Sequence, residues 1–283
     1  MLDLHTHSTA SDGSLSPAAL VQLAKKINLT AIALCDHDTT SGLPEAIATA
    51  EQIGQEFVPG IELSATWQDV TVHIVGLYVN PENSTLQEIL SQTRCMRNER
   101  NPRIIAALQH LGIDITMGDV TSDVQGDAVG RPHIARQLIR KGIVKSTDEA
   151  FEKYLGAGAP AHVPKERLHA SVAIETIRKA GGVPILAHPH QTGLPTVALD
   201  PFVGELTGLG LLGIEVFCSG YNSNRVAAYT RIARRHGLVR SGGSDFHGSA
   251  KPLIRLGRGI GNLYVRDDLL DPIRQTAMSL CGY

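Results

Sequence analysis

Residues 3–7 read DLHTH and belong to the first predicted strand. On a β-strand, residues i and i+2 project from the same face, so His5 and His7 can aim two imidazoles at one ion. Taken alone, this spacing fits a pair of unrelated surface histidines equally well. The rest of the chain must supply more ligands if DLHTH is part of a metal site.

Outward from this stretch, short β-rich segments alternate with amphipathic helical segments. The predicted strands are LDLH (2–5), TAIALCDHD (30–38), EFVPGIELS (56–64), VTVHIVGLYV (70–79), VPILAHP (183–189), LLGIEVFCS (211–219) and LVRSGGSDFH (238–247). The predicted helices are SPAALVQLAKKIN (16–28), with Ser16 as its cap, SGLPEAIATAEQIG (41–54), HASVAIETIRKAGG (169–182) and SNRVAAYTRIARRHG (223–237). Residues 65–69 (ATWQD) predict a hairpin-like turn. Strands that alternate with helices predict parallel crossover units.

The alternation is interrupted by a helical region. From residue 84 to residue 159 the sequence contains no convincing strand. We therefore predict an α/β fold in which residues 1–83 and 160–283 form one barrel-like domain. A helical insertion of roughly 70 residues, a common size for a small domain, follows the fourth strand.

Composition limits the class of protein. The chain has 283 residues, of which 42% are hydrophobic and 19% charged, as in ordinary globular enzymes. A formal net charge of −2 provides no global basic field for nucleic acids. Its four cysteines are scattered without a C-x-x-C pair, which argues against disulfides or a thiolate zinc site. With no secretory signal and no membrane span in the sequence, we expect a cytoplasmic protein.

Carboxylates and imidazoles recur where the predicted strands end. The candidate metal ligands are His5, His7, Asp12, His37, Glu62, His73, His188, Asp245 and His247. Most of them lie at or near the C-terminal ends of strands, where barrel enzymes place their chemistry. A lone buried histidine is usually a core residue, but buried carboxylates are costly unless they are paired or bind metal. The set as a whole predicts a metal centre.

In this order, DLHTHSTASDG, DHDTTSG, GIE, a histidine in the next strand, LAHP and GSDFHG resemble the motifs of the polymerase-and-histidinol-phosphatase (PHP) superfamily. The resemblance implies a distorted seven-stranded, TIM-like (β/α) barrel that holds three divalent ions. It implies a first ion on His5, His7, Glu62 and Asp245, and a second shared by Glu62, His73 and His188. The third ion would be held by Asp12, His37 and His247.

Ligands that offer only nitrogen and oxygen suit Mn²⁺, Fe or Zn²⁺. The resemblance favours Mn²⁺, with Zn²⁺ as the second choice. Such ions lower the pKa of water, so we expect a hydroxide that bridges the ions at Glu62 to be the nucleophile. The sequence lacks the G-x-S-x-G nucleophile elbow of serine hydrolases. The general acid is either a metal-bound water or a histidine such as His190, which can equally be a loop residue without a role.

Two aspartates flank His37. Asp36 and Asp38 are predicted either to orient imidazoles or to be solvated carboxylates at the end of a strand.

The helical insertion contains GRPHIARQLIRKG (130–142). Arg131 and His133 lie at a predicted helix start, where a guanidinium and the helix dipole favour phosphate. An insertion with GRPHIA resembles the PHP branch that hydrolyses 3′,5′-nucleotide bisphosphates and trims short RNA from its 5′ end. The resemblance implies that Arg131 and His133 bind phosphate, and His190, two residues beyond His188, is a further candidate substrate contact. Four arginines recur every third residue on the preceding helix and predict a basic face, namely Arg94, Arg97, Arg100 and Arg103.

One departure from that branch concerns the loop after AHP. An arginine is expected there, whereas residues 187–196 read AHPHQTGLPT. His190, Lys251 or Arg255 are candidates for the missing positive charge. This departure leaves open a phosphomonoesterase for another metabolite, such as histidinol phosphate. Two further alternatives are an amidohydrolase-type metal hydrolase, whose barrels also begin with H-x-H, and a non-catalytic nucleic-acid-binding module with structural metals. The expected partner is a nucleotide or a short oligoribonucleotide, with no membrane and no obligate protein partner.

Overall fold

A computed structural model describes residues 1–122, 129–164 and 167–280, with every side chain among them except that of Arg97. The strands are β1 (Leu2–Asp3), β2 (Ala31–Leu34), β3 (Glu56–Trp67), β4 (Val70–Leu77), β5 (Leu168–His169), β6 (Val183–Leu186), β7 (Gly213–Cys218) and β8 (Val239–Gly243). The α-helices are α1 (Pro17–Lys26), α2 (Leu43–Ile53), α3 (Ser84–His110), α4 (Met117–Thr121), α5 (Arg131–Arg140), α6 (Thr147–Ala150), α7 (Ala170–Lys179), α8 (Thr196–Gly208), α9 (Ser223–Arg235) and α10 (Leu270–Leu280).

Seven strands form a nearly closed barrel. They follow the order β1-β2-β3-β4-β6-β7-β8, and the short β5 pairs with β3 beside this path. The two ends of the sheet meet, because the Leu4 N–H donates to the Gly242 carbonyl (3.2 Å) and the Asp245 N–H donates to the His5 carbonyl (3.0 Å). The predicted seven-stranded barrel is confirmed.

The fourth strand confirms the predicted hairpin-like turn and limits the prediction of parallel crossover units. β4 runs antiparallel to both β3 and β6, so parallel crossover units do not build the whole barrel. The reason is local: Gln68 and Asp69 form a two-residue turn with φ values of 48° and 63°, and so short a turn permits only antiparallel pairing. His73, which pairs with Ser64, therefore lies in the first half of its strand rather than at its C-terminal end.

Local signals for the first two helices are confirmed. The Ser16 hydroxyl accepts a hydrogen bond from the Ala19 N–H (3.2 Å) and caps α1. The second helix ends at Gly54, whose φ of 63° suits a residue without Cβ. The sequence did not predict α8 or α10. Among the described residues, no helix combines the length and the apolar character that crossing a bilayer requires.

The apolar core has three parts. Side chains such as Leu4, Val58 and Ile185 fill the barrel, and a second layer packs the outer face of the sheet against the surrounding helices. A third cluster, with Leu108 and Ile134, belongs to the helical region. Helix α3 joins two of these parts, since its first turns pack on the barrel and its last turns on the helical cluster. The exact domain limits, 84–159, remain a prediction.

Candidate metal centre

The two histidines of DLHTH are brought together as predicted. His5 and His7 follow β1, both are fully buried, and their Nε2 atoms lie 3.1 Å apart. Thr6, between them, points the other way and donates its hydroxyl hydrogen to the Ala33 carbonyl. The alternation of a strand therefore directs both imidazoles into the barrel mouth.

Glu62 is the centre of the cluster. It lies on β3 and is fully buried. Its Oε1 atom lies 2.8 Å from His73 Nδ1 and 2.9 Å from His188 Nε2. Its Oε2 atom faces three further imidazole nitrogens at 3.0–3.3 Å, those of His5, His7 and His37. One carboxylate thus contacts imidazoles from three separate strand ends, those of β1, β2 and β6, and from the hairpin strand β4.

The two aspartates complete the opposite side of the cluster. Asp12 lies in the loop after β1, with Oδ1 at 3.2 Å from His247 Nε2 and Oδ2 at 3.9 Å from His37 Nε2. Asp245 Oδ1 lies 3.3 Å from His7 Nε2. All nine predicted ligands therefore converge in space, although a histidine pair and a loop aspartate come from one end of the chain and His247 from the other.

The geometry of these side chains fits divalent ions. Their donor atoms form four overlapping groups in which all the atoms lie within 4.8 Å of one another: His5–His7–Asp245, His5–Glu62–His188, His37–Glu62–His73, and His7–Asp12–His37–His247. His7 Nδ1, His37 Nδ1 and Glu62 Oε2 are buried and form no hydrogen bond within the described part of the chain. Buried polar atoms without partners are costly, and a bound cation would satisfy them. The groups contain no cysteine, in keeping with ligation by nitrogen and oxygen only.

These groups differ from the expected assignment of ligands to ions. His7 also lies with Asp12, His37 and His247, and Glu62 is absent from the group formed by His5, His7 and Asp245. His37 is near Glu62 and His73 as well as near Asp12 and His247. The number of ions and their identity remain predictions.

The carboxylates of the cluster stay ionised. Burial raises the pKa of Glu62, but the surrounding imidazoles, His37 and His5 first, outweigh it and hold that pKa well below its usual range. The pKa values of Asp12 and Asp245 are lowered by their own cationic neighbours in the same way. Burial lowers the pKa of His37 to about 3, although the Glu62 and Asp12 carboxylates act to raise it.

His7 should give metal binding a pH-dependent signature. Burial lowers its pKa, but the Asp245 and Glu62 carboxylates outweigh burial and raise it to about 9. The ring therefore carries a proton at pH 7 in the absence of metal, and an ion that binds it must displace that proton. We expect Mn²⁺ binding to release protons at pH 7 and the affinity to increase as the pH rises toward about 9. Calorimetric titration in two buffers of different ionisation enthalpy measures this release, and identical enthalpies in the two buffers would contradict it.

Several buried carboxylates hold the loops that carry the ligands. Asp36 accepts hydrogen bonds from the Ser8 N–H (2.8 Å), the Ser8 hydroxyl (2.6 Å) and the Ser11 hydroxyl (2.5 Å). Asp38 accepts one from the Ser64 N–H (2.9 Å). Both aspartates are buried, so the alternative of solvated carboxylates is wrong. These contacts hold Ser8, Ser11 and Ser64 in place, and each of these serines lies within two residues of a candidate ligand.

Two further buried carboxylates were missed by the sequence. Asp3 accepts hydrogen bonds from the N–H and hydroxyl of Ser244 at 2.8 and 2.6 Å. Glu215, fully buried on β7, contacts His5 and the backbone of His188. The sequence feature that could have identified Glu215 is its position as the single acidic residue in an otherwise apolar strand, GIEVFC. Such a residue is rarely buried without a partner.

A cavity of about 180 Å³ lies between the metal cluster and the helical insertion. Asp12, His37 and His73 line it on the barrel side. The helical region and the segment that returns to the barrel contribute basic residues, namely Arg100, Arg131, His133 and Arg167. Arg167 was not among the predicted contacts, because no motif marks it.

The two predicted phosphate contacts on α5 have structural partners. Arg131 Nη1 donates to the Leu155 carbonyl (2.9 Å), and its guanidinium lies 5.2 Å from the centre of the Phe151 ring. His133 Nδ1 accepts a hydrogen bond from the Gly130 N–H (3.1 Å) and thereby caps the helix. Both side chains also line the cavity.

The remaining candidates lie at different distances from the cluster. His190 Nδ1 is 2.9 Å from the Tyr221 hydroxyl, and the His190 ring centre is 6.3 Å from that of His188. His190 does not line the cavity described above. Of the four arginines on α3, Arg100 lines the cavity and Arg103 is exposed, while the side chain of Arg97 lies outside the described residues.

Comparison with known proteins identifies the family of this chain and two similar enzymes. A model of the family described as PHP domain matches residues 3–165, which is more than half of the chain. The chain belongs to the PHP domain family. A 5′-3′ exoribonuclease of Haemophilus influenzae is 36% identical to this PHP protein over 87% of the chain and 89% of the relative. A 3′,5′-nucleoside bisphosphate phosphatase of Chromobacterium violaceum is 34% identical over 92% of the chain and 90% of the relative.

A solved structure agrees with the sequence relatives. A Bifidobacterium adolescentis protein, assigned as a metal-dependent phosphoesterase, superposes on this PHP protein with a TM-score of 0.88 and 32% identity, covering 100% of this chain and 98% of the other. The predicted family, PHP barrel and enzyme class, a phosphoric ester hydrolase, are confirmed.

Proposed function

We propose that this PHP protein is a metal-dependent phosphoesterase of nucleotides. It removes the 3′-phosphate from 3′,5′-nucleotide bisphosphates, trims short RNA from the 5′ end, or does both. The observation that carries the proposal is the cavity, with carboxylates and imidazoles on one side and arginines on the other. Such a cavity suits a substrate with two phosphate groups, one at each side. The names of the Haemophilus and Chromobacterium relatives support the same class of substrate.

The metal side would be formed by the nine clustered side chains. The ligands are His5, His7, Asp12, His37, Glu62, His73, His188, Asp245 and His247. Divalent ions bound there, Mn²⁺ before Zn²⁺ or Fe, would supply activation of water and neutralisation of phosphoryl charge. Glu62 is the catalytic side chain we propose first, because each of its oxygens faces a different set of imidazoles.

The arginine side is suited to a second anion. Burial and the nearby Arg167 lower the pKa of Arg131, and burial lowers that of Arg167 although the Asp38 carboxylate acts to raise it. Among the described residues neither guanidinium forms an ion pair with a carboxylate within 4 Å; Arg131 donates to a carbonyl instead. Like charges held together at a half-buried position are unfavourable until an anion joins them. A phosphate between Arg131 and Arg167 would remove that repulsion.

The loop after AHP lacks the expected arginine, and Lys251 is the replacement we propose. Its ammonium group lies 2.7 Å from Asp245 Oδ2, at the edge of the metal cluster. Arg255 lies elsewhere, in a cavity it shares with Met1 and Leu23. His190 remains the proposed general acid and substrate contact on the ground that it lies two residues beyond His188.

The proposal is tested by phosphate release from a panel of esters. The panel contains 3′,5′-bisphosphorylated and singly phosphorylated nucleotides, short 5′-phosphorylated RNA, histidinol phosphate, an amide and a lactone. Metal content is measured on the same sample. We expect the highest kcat/KM with nucleotides that carry two phosphates or with short RNA. A preference for histidinol phosphate, or turnover of the amide or lactone alone, would contradict the proposal.

The Arg131→Ala variant should separate the two sides of the cavity. Loss of a charge-assisted hydrogen bond weakens binding by about 1.5–3 kcal/mol, so we expect KM for the bisphosphate to rise roughly 10–150-fold. A singly phosphorylated nucleotide should be much less affected. Arg103→Ala removes an exposed arginine of α3 and serves as the control. Equal effects of Arg131→Ala on both substrates would contradict a second phosphate site.

A further inference from the structure

Glu215 joins two of the proposed metal ligands although its own carboxylate belongs to none of the four ligand groups. It lies on β7 and is fully buried. Glu215 Oε1 lies 2.8 Å from His5 Nδ1, and Oε2 accepts a hydrogen bond of 2.6 Å from the His188 N–H. The residue therefore connects the end of β1 to the end of β6 from the strand next to β6.

The contact with His5 determines which ring nitrogen faces the cluster. A carboxylate oxygen only accepts hydrogen bonds, so Nδ1 of His5 must carry the hydrogen that it donates to Glu215. The lone pair of the neutral ring is then on Nε2. That atom lies 3.2 Å from Glu62 Oε2 and 3.1 Å from His7 Nε2, so it points at the place where an ion would bind.

The contact with His188 holds an unusual backbone conformation. His188 has φ 27° and ψ 63°, in the left-handed region that residues with a side chain rarely adopt. Such conformations persist where the surroundings impose them. The hydrogen bond from the His188 N–H to Glu215 is one such constraint, and it allows His188 Nε2 to reach within 2.9 Å of Glu62 Oε1.

We propose that Glu215 is a positioning residue that sets two metal ligands at once, the ring of His5 and the backbone of His188. The inference rests on the proposed ligand set, within which it assigns a role to a residue outside that set. Loss of Glu215 should therefore affect only the metal positions that contain His5 or His188. Glu215 contacts His5 and His188, whereas the group formed by Asp12, His37 and His247 shares neither of these residues.

Glutamine cannot replace Glu215 in this role, although it has nearly the same shape. Its single carbonyl oxygen can accept the hydrogen of the His188 N–H, but its amide nitrogen then faces His5 Nδ1 as a donor. His5 must accept at Nδ1 and keep its hydrogen on Nε2, the atom meant for the ion. Loss of such supporting contacts typically weakens metal binding by about 10–100-fold.

The experiment compares Glu215→Gln with the wild type in crystals soaked at graded Mn²⁺ concentrations, with anomalous scattering recorded for each position. Mn²⁺ affinity in solution is measured by titration of the metal-free proteins. We expect affinity to fall about 10–100-fold at positions that contain His5 or His188, and by less than about threefold at the Asp12–His37–His247 position. Asp200→Asn is the control, because Asp200 on α8 contacts His236, just after α9, through another carboxylate–imidazole pair (2.9 Å).

Three results would overturn the inference. Unchanged affinity at every position would show that Glu215 is not needed, and an equal loss at all positions would show a general structural defect. A matching loss in Asp200→Asn would mean that any such substitution has the same effect. If Glu215→Gln does not fold, Glu215→Asp, whose shorter arm cannot reach both partners, is measured in the same way with the same deciding outcomes. A wild type that binds no Mn²⁺ would instead refute the proposed metal centre itself.

Discussion

Glu62→Gln is expected to lower phosphate release by about 10³–10⁴-fold, which corresponds to roughly 4–6 kcal/mol of lost transition-state stabilisation. The reason is the position of this carboxylate between two sets of imidazoles, at 2.8–2.9 Å from His73 and His188 and at 3.0 Å from His37. Glutamine keeps the shape but loses the negative charge, and one of its two terminal atoms becomes a donor. The glutamine side chain would have one acceptor oxygen for two sets of imidazole nitrogens, those of His73 and His188 on one side and that of His37 on the other.

The Glu62→Gln variant should also bind less metal. A lower metal content distinguishes loss of the metal site from a defect in substrate binding alone. Metal content and kcat are measured on the same preparation, with the unfolding temperature as a check of folding. Glu56→Gln is the matched control, since Glu56 begins the same strand but is exposed and pairs with Arg274 at 2.8 Å. A Glu62→Gln protein with normal metal content and normal turnover would refute the proposed centre.

Removal of metal by a chelator should abolish activity and lower the unfolding temperature. Among the described residues, the cluster leaves three buried polar atoms without hydrogen bonds, and a bound cation would satisfy them. A ligand present at about 1,000 times its dissociation constant stabilises the folded state by roughly 4 kcal/mol, which corresponds to a shift of several degrees. Activity and unfolding temperature should both return when Mn²⁺ is added.

The comparison needs two controls. The chelator must be removed before the activity is measured, and metal content must be confirmed by elemental analysis. Glu62→Gln should show a much smaller change in unfolding temperature with the same treatment, because it has less metal to lose. Full activity of a demonstrably metal-free protein would exclude a metal-dependent reaction.

Much of the site was readable from residue types and spacing. His5 and His7 are two residues apart in the segment that follows β1, and the i, i+2 spacing of an extended chain predicted that they share a face. Most of the other candidate ligands lie where apolar strands give way to polar residues, as His37 does after β2, whereas Glu62 and His73 lie within β3 and β4. In a barrel these strand ends meet at one mouth, which is why all nine candidates converge.

Other parts of the site depend on contacts that no local pattern encodes. His5 and Glu215 are 210 residues apart, and Glu215 is a single acid in an apolar strand. Arg167 enters the cavity only because the chain returns there after the helical insertion. His133 was predicted from its motif, but its hydrogen bond to the Gly130 N–H follows from the geometry of the helix start.

By itself the sequence determined the fold class, and it predicted the candidate ligands and the basic helix start. These follow from the periodicity of strands and helices, from side-chain chemistry and from the resemblance to the PHP superfamily. Only the tertiary structure decided that β4 also pairs antiparallel with β6, that Glu62 lies at the centre of the imidazoles, and that Glu215 contacts two of the candidate ligands. Burial is the physical reason for the difference. A buried charge must find its partners in three dimensions, and those partners come from distant strands that only folding brings within hydrogen-bonding distance.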